Sequence, residues 1–60
     1  MPSVAVSTFT NKTFLLLENV DNGDRSGRSK WLHLETGDVL RFDMCSRHLM
    51  LNGWKWLIEG

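Results

Sequence analysis

The chain has little of three things: cysteine, net charge and continuous apolar sequence. Its 60 residues include one cysteine, Cys45, so the intrachain disulfides of many small secreted domains cannot form. Seven Lys and Arg residues balance seven Asp and Glu residues, which removes the usual electrostatic argument for a polyanionic partner. The longest apolar run is Phe14 to Leu17, far shorter than the roughly 20 residues that span a bilayer.

These shortages predict one small cytoplasmic domain that covers residues 1–60. Natural domains rarely fall much below about 50 residues. A chain of this length buries only about 60% of the surface that its unfolded form exposes. The first residues show neither the basic nor the apolar segment of a signal peptide, so we expect a reducing compartment and no membrane contact.

Short β-rich runs separated by turn residues predict an all-β fold. The first two runs are Val4–Thr10 and Thr13–Val20, interrupted at Asn11 and Lys12. Nine residues without an apolar side chain follow them. Such a segment cannot offset its ordering entropy by burial, so we predict a mobile polar loop at about residues 21–29.

The third and fourth runs, Lys30–Leu34 and Val39–Asp43, predict a hairpin. If the connection has three residues, with Gly37 in the left-handed region, the pairing of the two strands assigns their side chains to two faces. One face then carries Leu32, Leu34, Leu40 and Phe42. The other carries Trp31, His33, Val39, Arg41 and Asp43. A two-residue turn would set Glu35 opposite Asp38, and because like charges in that position are destabilising, we predict the longer connection.

The segment Asn52-Gly53 predicts a second hairpin with a type I′ turn, because both residues accept positive φ. The turn would pair Leu51 with Trp54, Leu49 with Trp56, and Arg47 with Ile58. Those pairs would place both tryptophans in the core. Residues 44–50 are also compatible with a helical turn, so that alternative stays open.

Five or six short antiparallel strands predict a small barrel or a strongly bent meander. We prefer an SH3-like barrel, because closure hides the edges of a sheet. The second choice is an open meander that dimerises through its uncovered face.

The segment from Cys45 to His48 carries the most reactive residues of the chain, but we expect neither an enzyme nor a cofactor. Structural zinc needs four ligands, and this segment supplies two; His33 and Asp43 could complete the set only by coincidence of the fold. A catalytic thiolate needs an electropositive pocket and a third group that orients the histidine. We therefore expect Cys45 to be a small buried hydrophobe and His48 an exposed residue.

The candidate binding surface combines a tryptophan that is predicted to face outward with nearby cations. Its members are Trp31, Arg25, Arg28, Lys30, His33 and Arg41. Trp and Arg dominate hot spots in protein interfaces. The same combination also grips single-stranded nucleic acids, where bases stack on the ring and phosphates pair with the cations.

Our leading expectation is a small non-enzymatic interaction module that binds a protein partner, as an adaptor or inhibitor, or that self-associates. Val39, Met50 and Leu57 are predicted on outward faces, and these apolar side chains suggest a second covered surface. The alternative is a nucleic-acid-binding small β-barrel that uses Trp31 and the basic loop. Asp21 and other acidic residues in that neighbourhood weaken the positive field.

Overall fold

The computed structural model describes residues 2–23 and 26–60, and these residues are mostly β-strand. In chain order the elements are β1 (Val4–Ser7), β2 (Thr13–Val20), β3 (Arg28–His33), β4 (Val39–Phe42), α1 (Ser46–Leu51) and β5 (Trp54–Ile58). All five strands belong to one antiparallel sheet with the order β4-β3-β2-β1-β5. The prediction of a mainly β fold with antiparallel strands is confirmed, and α1 is an addition to it.

The sheet is bent strongly enough that its two edge strands touch. Five strands spaced about 4.8 Å apart would put β4 and β5 ~19 Å from each other in a flat sheet. The rings of Phe42, on β4, and Trp54, on β5, nevertheless have centroids only 5.4 Å apart. Among the described residues no backbone pairing joins β4 to β5. The sheet is therefore not closed, and the predicted barrel is not confirmed.

The polar segment between β2 and β3 is shorter than predicted at its C-terminal end. β3 begins at Arg28, so the last two residues of the predicted loop belong to a strand, and Ser29 is buried. Gly27 is also buried, and a Cβ atom there would lie 2.5 Å from the carbonyl oxygen of Val20. Only glycine allows the backbone to approach so closely. The part of the predicted loop at residues 24 and 25 lies outside the described residues.

The register of β3 and β4, extended by the hydrogen bond from His33 to Asp38, closes a loop of four residues, 34–37, so the predicted three-residue connection is wrong. The His33 N–H donates to the Asp38 carbonyl oxygen, and the Gly37 N–H donates to the His33 carbonyl oxygen, each at 2.8 Å. Gly37 does occupy the left-handed region, with φ of 79°. The loop starts one residue earlier than predicted, at Leu34, and Glu35 lies within it rather than opposite Asp38.

This register also overturns the predicted faces of the hairpin. Trp31 pairs with Leu40, and Ser29 pairs with Phe42. A shift of one residue moves every side chain of a strand to the opposite face of its sheet. Trp31 consequently points into the core, although the sequence predicted it on the polar face.

The second predicted hairpin is wrong, and the helical alternative left open for residues 44–50 is the correct one. α1 occupies the segment before Asn52, and β5 pairs with β1, with Trp54 opposite Ser7. Asn52 ends the helix, since its side-chain amide donates to the His48 carbonyl oxygen at 2.6 Å. Leu49, on the helix, joins the core.

The core lies on one face of the bent sheet, which we call the inner face, together with α1. Its buried members are Ala5, Phe14, Trp31, Leu49 and Trp54. The Trp54 ring lies at the centre of this cluster, with centroids 4.8 Å from Phe14 and 5.0 Å from Trp31. The prediction that Trp54 is a core residue is confirmed. Trp56 is half-buried and packs against the cluster.

Candidate interaction surface

Trp31, the central residue of the predicted binding surface, is fully buried. Its indole N–H donates to the Ser29 hydroxyl at 2.9 Å. That hydroxyl donates in turn to the Met44 carbonyl oxygen at 2.7 Å. The predicted outward orientation of Trp31 is wrong, and its ring offers no platform for stacking a base.

His33 also lies on the inner face rather than on the predicted polar face. It is 6% exposed, its ring contacts that of Phe14, and its Nδ1 lies 2.8 Å from the Thr36 hydroxyl oxygen. Its Nε2 atom has no hydrogen-bond partner among the described residues. Orientation therefore removes His33 from any surface that a partner could contact.

The remaining described cations of the prediction meet at one end of the opposite face of the sheet, which we call the outer face. Lys30 lies directly opposite Arg41 in the β3–β4 pairing, and Arg28 lies two residues before Lys30 on the same strand. The Lys30 Nζ atom is 3.7 Å from Oε2 of Glu18, on the neighbouring strand β2. All four residues line an open cleft, together with Ser29, Phe42 and Asp43. Arg25 lies outside the described residues.

An apolar row crosses the outer face at right angles to the strands. Each strand contributes one residue to this row, and each member is paired in register with the next. In the order of the strands in the sheet, the members are Val39, Leu32, Leu15, Val4 and Ile58. The two residues at the ends are exposed, and the three in the middle are half-buried. No described strand residue on this face is buried. The sheet thus carries apolar side chains on both faces, and among the described residues the core and α1 cover only the inner face.

Val4, Leu15 and Ile58 are absent from the predicted surface, and Leu32 was predicted on the same face as Leu40 and Phe42, although one signal was available. The run from Phe14 to Leu17 is apolar at four successive positions. Alternate residues of a strand face opposite sides, so a continuous apolar run predicts a strand that is apolar on both faces.

Cys45 and His48 are close together at the start of α1. The Cys45 sulfur is fully buried and lies 3.5 Å from His48 Nδ1. The prediction of a buried cysteine is confirmed, whereas His48 is half-buried and not exposed. Within residues 2–23 and 26–60, no group of three or more His, Cys, Asp or Glu side chains is arranged to hold a metal ion.

Asp21 is bound by a cation that is not on the outer face. Arg47, on α1, donates to both carboxylate oxygens of Asp21, at 3.1 and 3.3 Å. The Gly23 N–H donates to the same carboxylate at 2.8 Å. The hydrogen bond from Arg47, followed by that from Gly23, lowers the pKa of Asp21 to about 2. This acidic group is therefore paired with α1 and not with a cation of the outer face.

Comparison of the chain with family models, with curated proteins and with solved structures found no match. Over the described part of the chain, no helix is long and apolar enough to cross a membrane.

Proposed function

We propose that this chain is a non-enzymatic interaction module of the cytoplasm whose outer face binds protein, either an adaptor or inhibitor target or a second copy. The apolar row across all five strands carries this proposal. An antiparallel sheet with one solvated face usually alternates apolar residues inward with polar residues outward. A contiguous apolar surface outside the core is typical of an interaction site.

The charged residues beside the row fit the same function. Protein interfaces combine an apolar centre with a polar rim, and arginine is enriched in them. Arg41, Lys30 and Glu18 form such a rim one step along the strands from the apolar row. Lys30 is tied to Glu18, whereas Arg41 is exposed and makes no ion pair with the described residues. Arg41 is therefore the rim cation that is most available to a partner.

Site-specific cross-linking tests this function. A photoreactive amino acid at Leu32, in the middle of the row, should form discrete protein adducts in extracts of the source cells. The matched control is Leu51, which is apolar and 76% exposed but lies on α1. Excess unlabelled wild-type chain should compete the Leu32 adducts away, and excess Leu32→Lys chain should not. Equal adduct yields at the two positions would overturn the proposal.

For the fold, we propose an SH3-like barrel that stays open between β4 and β5, so that β4 keeps a free edge. The strand order leaves β4 and β5 at the edges that a closing pair would join, and the Phe42–Trp54 ring contact already brings those edges together. Nuclear Overhauser contacts between the rings of Phe42 and Trp54 would support this open barrel, and their absence would contradict it. Through-bond NMR couplings that reveal backbone hydrogen bonds between β4 and β5 would contradict the opening.

Nucleic-acid binding is the second candidate, and it now depends on the cations alone. Lys30 and Arg41 are direct cross-strand neighbours, a like-charge pair that is unfavourable in isolation and that a phosphate would stabilise. Titration with single-stranded DNA at two salt concentrations tests this candidate, because phosphate contacts weaken steeply with salt. Salt-sensitive binding that Arg41→Gln weakens more than Lys12→Gln would favour it, and no binding at low salt would exclude it.

A further inference from the structure

β4 is the less protected of the two sheet edges. At the other edge, the pairing of β5 with β1 shifts register between Val4 and Ala5, whereas β4 pairs with β3 without a shift. Sheets commonly protect their edges with bulges, prolines and charges. Both edge strands lack proline and carry one charge, Arg41 on β4 and Lys55 on β5, so the register shift is the difference between the two edges.

The backbone groups that β4 leaves free can be identified from its hydrogen bonds. Because the Asp38 carbonyl oxygen accepts from His33 of β3, the backbone groups of Asp38 point toward β3. In an antiparallel ladder, alternate residues face the same neighbour. Leu40 therefore also faces β3, and the N–H and C=O groups of Val39 and Arg41 point away from the sheet.

We propose that a second copy of this chain pairs antiparallel with β4, around a two-fold axis at Leu40. This inference goes beyond the proposed function, because it assigns a partner to the edge of the sheet, whereas the proposed function concerns the outer face. In this register, Val39 of each copy exchanges both backbone hydrogen bonds with Arg41 of the other, and Leu40 lies opposite Leu40. All the outward-pointing groups of Val39 and Arg41 are then satisfied.

The side chains favour this register over its neighbours. A shift of one residue in each copy toward the C-terminus would set Arg41 opposite Arg41, and like charges there are destabilising. The opposite shift leaves a single pair of strand residues, Val39 with Val39, and sets Leu40 against Asp38. The segment is thus self-complementary in the proposed register.

Two apolar side chains of β4 are exposed in the single chain and would be partly covered by a second copy. Leu40 and Val39 are 38% and 44% exposed, on opposite faces of the strand. Cross-strand neighbours from a second copy would cover part of both. Only three strand residues of each copy take part in the pairing, and small interfaces are typical of transient complexes, so we expect a dimer that dissociates on dilution.

Charges introduced at the two-fold axis provide the test. In a homodimer of Leu40→Glu or of Leu40→Lys, two like charges would lie opposite each other. In an equal mixture of the two variants, a negative charge would lie opposite a positive one. In sedimentation velocity, the wild type should dimerise with increasing concentration, each variant should stay monomeric, and the mixture should recover the dimer. Native mass spectrometry should show that the recovered dimer holds one copy of each variant.

The matched control uses the other sheet edge. Leu57, on β5, is apolar and 57% exposed, so Leu57→Glu and Leu57→Lys should both dimerise like the wild type. If circular dichroism shows that the Leu40 variants do not fold, Val39→Pro replaces them. It removes an outward N–H and leaves the pairing with β3 in place, a position where an edge strand tolerates proline, and it should also abolish the dimer.

Two results would overturn the inference and leave the proposed function standing. One is a wild-type chain that stays monomeric at every concentration. The other is a dimer that persists in folded Leu40→Glu or Val39→Pro, because self-association would then use another surface. Cross-linking at Leu32 decides the proposed function independently of both.

Discussion

The indole N–H of Trp31 donates to the hydroxyl of Ser29, two residues earlier on the same strand and 2.9 Å away. The Ser29 hydroxyl donates onward to the Met44 carbonyl oxygen. One small side chain thus provides partners for an indole in the core and for the backbone that leads into α1. This link explains why Ser29 is buried although it belongs to a polar stretch of sequence.

Removal of the Ser29 hydroxyl should be costly for so small a group. Ser29→Ala leaves the Trp31 N–H and the Met44 carbonyl without their partner, and an unsatisfied buried polar group costs about 1–3 kcal/mol. Urea unfolding measures the loss. Thr10→Ala, which removes an exposed hydroxyl, should change the free energy of unfolding by no more than about 0.5 kcal/mol. Equal effects of the two substitutions would contradict the proposed link.

Truncation of the tryptophans should rank them by burial. Trp54 is 8% exposed at the centre of the ring cluster, and Trp56 is half-buried at its border. Trp54→Ala should cost about 3–5 kcal/mol, which is comparable to the whole stability of a domain of this size. Trp56→Ala should cost less. Near-ultraviolet circular dichroism would show Trp54→Ala unfolded and Trp56→Ala folded, and the reverse order would contradict the core described above.

Gly27 should not tolerate a side chain. In Gly27→Ala the new Cβ would lie 2.5 Å from the Val20 carbonyl oxygen and 3.1 Å from the Cys45 Cβ. The backbone must therefore shift, and overpacking of this kind costs about 1–3 kcal/mol. Thermal unfolding should show a lower midpoint for Gly27→Ala than for Gly60→Ala, which alters an exposed position. Unchanged midpoints for both would argue against the close approach of these segments.

The Asp21–Arg47 pair should stabilise the fold in a defined pH window. The pKa of Asp21 is lowered from 3.8 to about 2 in the folded chain. A group with a lowered folded pKa stabilises above its unfolded value, and the stabilisation is lost as the pH falls through the folded value. The contribution is therefore complete above pH 3.8, fades from there to about 2, and weakens with salt because the pair is exposed.

NMR titration of the Asp21 carboxyl checks this assignment. Arg47→Gln should return the pKa of Asp21 toward 3.8, because the hydrogen bond from Arg47 is the largest cause of the lowered pKa. Arg41→Gln, on the outer face, should leave it unchanged. A lowered pKa that survives Arg47→Gln would mean that Gly23 and its neighbours, rather than α1, hold the carboxylate.

The strands were predictable because their signal is local, whereas the faces were not. β-rich runs and turn residues located all four strands up to Phe42, and Gly37 takes the left-handed conformation that its hairpin requires. The face on which each side chain of β3 and β4 lies depends on whether the loop between these strands has three residues or four. A single residue reverses every side chain, so this one error moved Trp31 from the core to the surface.

The C-terminal third was decided by contacts that are distant in sequence. Asn52-Gly53 is a strong local hairpin signal, but β5 takes β1 as its partner, roughly 50 residues earlier in the chain. The six residues of α1 are too few for helical periodicity to be read from sequence. The candidate surface was found only in part for the same reason. Its cations lie close together in sequence, but its apolar row takes one residue from each strand.

In the proposed function, protein covers the outer face of the sheet. The most direct measurement is the ratio of photo-cross-linking yields at Leu32 and Leu51, two apolar positions on different surfaces. We predict a much higher yield at Leu32, in discrete adducts that excess wild-type chain competes away. Equal yields, or adducts at Leu32 that the Leu32→Lys chain competes away equally well, would contradict the claim.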